Sequence, residues 1–153
     1  RMERGHFLNP HIDNSHDGGR RRWRSLNLLY YVAAGSGQAS GSGGELELWP
    51  HGVRGEPLRL QALGNRLIIM ETHQHAWHSV RTVGDGPARG CISNYYFAPT
   101  PMRADQRFHV TSFRGRPEQP LRDLVSRADS ALRMLIRRGF WRGLLRSPHR
   151  YLR

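Results

Sequence analysis

Residues 66–97 read RLIIMETHQHAWHSVRTVGDGPARGCISNYYF, and this stretch decides the fold class. Residues 66–72 hold the apolar run LIIM, the mark of a strand buried on both faces. Residues 77–83 and 90–97 read as two more strands, parted by the turn residues Gly84-Asp85-Gly86-Pro87. Short strands with Gly/Pro punctuation predict a sandwich or barrel. Working outward, residues 7–13 form a short strand running into the turn chemistry of 14–19 (NSHDGG), and residues 25–32 form another strand. Residues 45–49 (ELELW) alternate with period two, the pattern of a half-buried strand. Between these, residues 35–44 (GSGQASGSGG) predict a mobile loop.

From Pro120 the period changes. Leu121, Leu124, Val125, Ala128, Leu132, Leu135, Ile136, Phe140 and Leu144 fall at steps of three and four, one face of a long amphipathic helix. Arg122, Arg127, Arg133, Arg137 and Arg138 fall mostly off that face, and Gly139 and Gly143 weaken its last turns. The leucine face is expected to pack against the barrel or a second subunit, which would make a homo-oligomer. A membrane-surface role comes next, since Phe140 and Trp141 flank the apolar face.

The chain has 153 residues and a formal net charge of +12, and every one of its 24 basic residues is arginine. That length is one domain with an appendage. The mean hydropathy of −0.67 is low, but four tryptophans and the 67–70 run argue against disorder. No apolar stretch is long enough for a membrane span, and no signal-peptide pattern opens the chain. A lone cysteine, Cys91, excludes an intrachain disulfide and points to the cytoplasm. The charge is uneven. Residues 114–153 carry 11 arginines against Glu118, Asp123 and Asp129, a net of +8; residues 1–113 carry 13 arginines against nine acids, a net of +4. A division follows: a core over 1–113 and a basic helical extension over 114–153.

His11-Ile12-Asp13 is the sharpest chemical feature. Residues i and i+2 of an extended segment point the same way, so an imidazole and a carboxylate converge. A metal needs a third ligand, for which His73, His75 and His78 are candidates. Two histidines and a carboxylate on one face leave coordination positions open, as a non-haem Fe(II) enzyme requires. Arg89 opens the strand Gly90-Cys91-Ile92-Ser93-Asn94-Tyr95-Tyr96-Phe97, and an arginine fork there suits a bidentate carboxylate partner.

Taken together, H-x-D-N at 11–14, Leu29-Tyr30-Tyr31-Val32, Gly43-Gly44-Glu45-Leu46, Trp77-His78-Ser79-Val80 and R-x-C-x-S-x-Y from Arg89 resemble the 2-oxoglutarate/Fe(II)-dependent dioxygenase superfamily, closest to its prolyl 4-hydroxylase-like branch. The likeness covers residues 4–98. It implies a mainly β fold, a double-stranded β-helix (jelly-roll or cupin-like) core, followed here by the C-terminal amphipathic α-helix. It implies His11, Asp13 and His78 as iron ligands, and Arg89 as the partner of the distal carboxylate of 2-oxoglutarate. Tyr31 would add a phenolic hydrogen bond to that carboxylate, and Ser93, on the same strand face as Arg89, would assist. The implied cofactors are Fe(2+), 2-oxoglutarate and O₂, with ascorbate as reductant. The implied reaction couples decarboxylation of 2-oxoglutarate to succinate with hydroxylation of a substrate C–H, on a prolyl or other amino-acid or peptidyl side chain.

Only ten residues precede His11, so the family's first strand and supporting helices are expected to be missing. Cys91 stands where many relatives carry a small residue or serine. His73 and His75 could form a cupin-type pair, but Ser79 stands where that pattern wants a glutamate; they are expected at the site mouth or in solvent. Arg20, Arg21, Arg22 and Arg24 either favour an acidic substrate or form a solvated run; the turn at 16–24 and the 35–44 loop are candidate lids. Two rivals stand. Nucleic-acid demethylases of the superfamily carry R-x-N-x-T-x-R where residues 89–95 read RGCISNY, so no specific nucleic acid is expected. The other rival is a non-catalytic basic binding module.

Overall fold

The computed structural model describes residues 1–32, 43–85 and 88–139. Eight strands and one helix follow in order: β1 (Leu8–Ile12), β2 (Trp23–Tyr31), β3 (Leu46–Leu48), β4 (Leu58–Leu60), β5 (Arg66–Glu71), β6 (His78–Val80), β7 (Cys91–Ala98), β8 (Ser112–Phe113) and α1 (Pro120–Gly139). The strands form two antiparallel sheets, ordered β4-β3-β6-β1-β8 and β5-β2-β7. Successive strands mostly change sheet, so each inner face is built from distant parts of the chain. The fold is mainly β, with a jelly-roll-like core as expected. Residues 35–42 of the Gly/Ser loop and residues 86–87 of the 84–87 turn lie outside the described residues.

The core sits between the two sheets. Leu29 and Tyr31 of β2 meet Leu46 of β3 and Ala62, with Ile68, Met70, Leu60, Leu48 and Cys91 packed around them. Period two on β2 places Asn27, Leu29 and Tyr31 inward. Two expectations need correction. On β5 only Ile68 and Met70 face the core; Leu67 and Ile69 are more than half exposed, because this sheet is uncovered on its outer face. A continuous apolar run therefore did not mean burial on both faces. On β3 the reverse holds: Glu47, read as the polar side of a half-buried strand, is buried. Its carboxylate accepts from Arg116 Nη1 (2.7 Å), Ser79 Oγ (2.8 Å) and Arg59 Nε (3.4 Å), and these partners offset the desolvation of a buried charge.

Two glycines are fixed by close backbone approach. Gly43 has φ +79°, and a Cβ there would lie 2.1 Å from the Thr82 carbonyl oxygen. A Cβ on Gly90 would lie 2.4 Å from the Val32 carbonyl oxygen. Gly90 directly follows Arg89, and the Arg89 side chain packs beside Gly44.

α1 begins with proline in its first turn, where a missing N–H costs nothing. The Asp123 carboxylate accepts from Arg114 Nε (2.6 Å), Arg114 Nη2 (3.0 Å) and the Gly115 N–H (3.0 Å), which ties the helix to the end of β8. The leucine face does not pack on the barrel. Leu121, Leu124, Val125, Leu132 and Leu135 are between 56% and 79% exposed, while Asp123, Ser126, Ser130, Arg133 and Met134 form the half-buried side. The polar tethers at Asp123, and from Arg20 Nη2 to the Arg137 carbonyl oxygen (2.8 Å), hold the helix polar side down.

Candidate metal centre

β1 and β6 are neighbours, and their register sets His11 opposite His78. Asp13 follows one residue beyond β1 and, by the i, i+2 rule, turns to the same side. The structure brings together one ligand atom each from His11, Asp13 and His78, all within 4.8 Å of one another, and all three residues are buried. The His11 and His78 rings lie 4.2 Å apart. Each ring is oriented in the same way. His11 Nδ1 lies 3.0 Å from the Asn9 carbonyl oxygen, and His78 Nδ1 lies 3.0 Å from the Ala76 carbonyl oxygen. A carbonyl only accepts, so each Nδ1 carries a proton and Nε2 is the nitrogen left to ligate. Burial, with His78 beside it, pushes His11 down to about 4, so its imidazole is neutral at pH 7 and fit to bind a cation. Phe113 of β8 stacks on the His11 ring at 5.2 Å and limits its movement.

Asp13 has its own supports. Asn27 Nδ2 donates to Asp13 Oδ2 (3.2 Å), and Ser93 Oγ donates to Asn27 Oδ1 (3.1 Å). Arg24 Nη1 lies 3.6 Å from Asp13 Oδ1, with its guanidinium over the Tyr95 ring at 3.8 Å. Sequence reasoning missed Asn27, although it lies four residues before Tyr31 on the same face, so period two could have found it. Arg24 divides the arginine run: it is buried against Asp13, whereas Arg21 and Arg22 are exposed.

Arg89 lies at the start of β7 and is buried. Its Nη2 donates to the Tyr31 hydroxyl (2.9 Å), and its Nε has no partner. Tyr31 is fully buried, and burial raises its phenol above the usual value, so it stays protonated with a hydrogen to donate. Met2 closes the other side, with its sulfur 3.6 Å from Arg89 Nη1. Ser93 is exposed, and its hydroxyl serves Asn27 and not Arg89 or Tyr31. Asn27 and Tyr31 share one face of β2, about 13 Å apart at about 3.3 Å per residue. One strand thus supports the metal-ligating cluster at one point and the arginine at another, with side-chain reach between them for a short dicarboxylate.

A cavity of about 420 Å³ opens on the cluster. Asp13, Asn27, His78, Trp49, Trp77 and His73 are among its walls. His75 lines it too, so both extra histidines stand at the mouth. His109 is buried for another reason: its N–H bonds Ser15 Oγ (2.9 Å) and its Nδ1 lies 2.8 Å from the Arg107 carbonyl oxygen, fastening the 107–111 segment to the 13–16 turn.

Comparison with known proteins adds one finding. A family model described as the 2OG-Fe(II) oxygenase superfamily matches residues 1–97. No significant match was found among curated proteins.

Proposed function

The chain belongs to the 2OG-Fe(II) oxygenase superfamily, and from that membership we propose a dioxygenase of the prolyl 4-hydroxylase-like branch, acting on a prolyl or other amino-acid or peptidyl side chain. Membership itself implies Fe(2+), 2-oxoglutarate and O₂. The observation that carries the reading is the convergence of His11, Asp13 and His78 with both imidazole Nε2 atoms left open. Two imidazoles and one carboxylate suit Fe(II) and leave coordination positions for a chelating cosubstrate. His11, Asp13 and His78 would hold the iron. Arg89 and Tyr31 would take the distal carboxylate of 2-oxoglutarate, and the unpartnered Nε of Arg89 supports an incoming acceptor.

Iron bound there supplies the redox chemistry that turns O₂ against a C–H bond. The rest belongs to the chain's own residues. Asn27, held by Ser93, fixes the Asp13 carboxylate. Tyr31 preorganises the Arg89 fork, so a diacid binds without reordering the side chain. A diacid one carbon shorter could not satisfy both the metal centre and Arg89, which favours the five-carbon acid. Trp49 and Trp77 line the cavity as apolar walls, holding the substrate C–H and excluding water.

Residues 1–113 form the catalytic core in this reading, and 114–153 a basic extension. Ascorbate would serve as reductant. The single cysteine suits a cytoplasmic setting. No described helix is long and apolar enough to cross a membrane. The test is succinate release with a panel of prolyl and other peptides. Release that needs both Fe(II) and 2-oxoglutarate, and rises with a peptide, supports the reading. Full turnover in His78→Ala together with none in His75→Ala would overturn the ligand assignment.

A further inference from the structure

We propose that the outward face of α1 is a docking surface for an anionic lipid bilayer. The helix is mounted the opposite way from an ordinary surface helix. Its polar side is tethered to the body through Asp123 and the Arg137 carbonyl, while Leu121, Leu124, Val125, Leu132 and Leu135 face solvent. At about 100° per residue these positions form one continuous stripe. An outward apolar stripe is costly in water and has to be covered by something.

Charge selects the occupant. Arg122 borders one edge of the stripe, and Arg127 borders the other; both are exposed. Over 120–139 five arginines face two acids, a net of +3, and those acids are engaged by arginines: Asp123 by Arg114 and Asp129 by Arg133. The sequence from 140 to 153 adds Arg142, Arg146, Arg150 and Arg153 and no acid, with Phe140 and Trp141 among the apolar residues. A leucine stripe edged by arginine fits lipid chains beneath anionic headgroups. A second copy of the helix would instead set like charges against like. The outer face of the β5-β2-β7 sheet is apolar as well, with Leu67, Ile69, Ile92 and Tyr96 exposed, but offers little acid to meet those arginines. The inference does not depend on the chemistry of the metal centre.

The test uses the full chain and co-sedimentation with phosphatidylcholine vesicles, with or without about a third phosphatidylserine. Binding is expected to need phosphatidylserine and to weaken as salt rises. Leu132→Glu with Leu135→Glu should cut the bound fraction by roughly tenfold or more. Arg127→Gln should release the protein at lower salt. Circular dichroism and metal binding unchanged in these variants would show that the body is intact. Failure of the wild type to bind phosphatidylserine vesicles would overturn the proposal, as would undiminished binding by the leucine variant. A dimer in solution that needs Leu132 and Leu135, with no vesicle binding, would assign the face to a second copy.

Discussion

Asp13 is held at both carboxylate oxygens: Asn27 bonds one and Arg24 approaches the other. Asn27→Ala should weaken Fe(II) binding by roughly tenfold to a hundredfold, while Ser93→Ala, which acts through Asn27, should weaken it less. A metal titration of the two variants checks the order. Tyr31 makes a different prediction. Tyr31→Phe removes one hydrogen bond to a charged group, so KM for 2-oxoglutarate should rise by roughly tenfold with kcat nearly unchanged. Steady-state kinetics separates the two effects. At this scale much was legible beforehand. The H-x-D spacing and Arg89 stand out in one dimension because i, i+2 geometry and strand starts are local properties, whereas His78 was one of three candidate histidines and was singled out only by the family resemblance. Arg24 was not legible. Four arginines in five positions look alike in sequence, and only the bend that brings residue 24 beside Asp13 distinguishes it.

At the scale of elements, β3 and β5 exchanged their expected burial. LIIM on β5 is continuous, and a continuous run carries no phase; the uncovered outer sheet face decides that Leu67 and Ile69 meet solvent. Ile69→Thr should therefore change stability by no more than about 0.5 kcal/mol, whereas Leu46→Ala in the core should cost about 3 kcal/mol. Urea unfolding of the two variants compares them directly. ELELW on β3 does carry phase, but the phase could not reveal that Arg116, 69 residues later, reaches back to Glu47. Removing that partner leaves a buried carboxylate short of its closest cation. Arg116→Met should cost about 3 kcal/mol, more than any exposed arginine in the chain. β4 and β8, three and two residues long, were not anticipated, because so few residues show no period.

For the whole molecule, the charge of +12 divides by location. Arg89 and Arg24 are buried at the site, Arg116 ties the segment after β8 to Glu47 of β3, Arg114 ties that segment to Asp123 of α1, and Arg122 and Arg127 of α1 edge an exposed stripe. The joint between α1 and the end of β8 has a pH signature. Arg114 and the Gly115 N–H hold the Asp123 carboxyl below its ordinary value. A lowered folded value means that the stabilisation is complete above the ordinary carboxylate range and is lost as pH falls through the folded one. Asp123→Asn should cost roughly 1 kcal/mol near neutrality, and the gap from wild type should narrow below about pH 4.

The central claim is that one buried face holds both a metal and a dicarboxylate, through His11, Asp13 and His78 on one side and Arg89 with Tyr31 on the other. An anaerobic titration of Fe(II) and then 2-oxoglutarate, followed by visible absorption, tests it most directly. The claim predicts a charge-transfer band that needs both additions, disappears in His78→Ala, and demands far more 2-oxoglutarate in Arg89→Ala. Absence of the band in the wild type, or an unchanged titration in both variants, would contradict it.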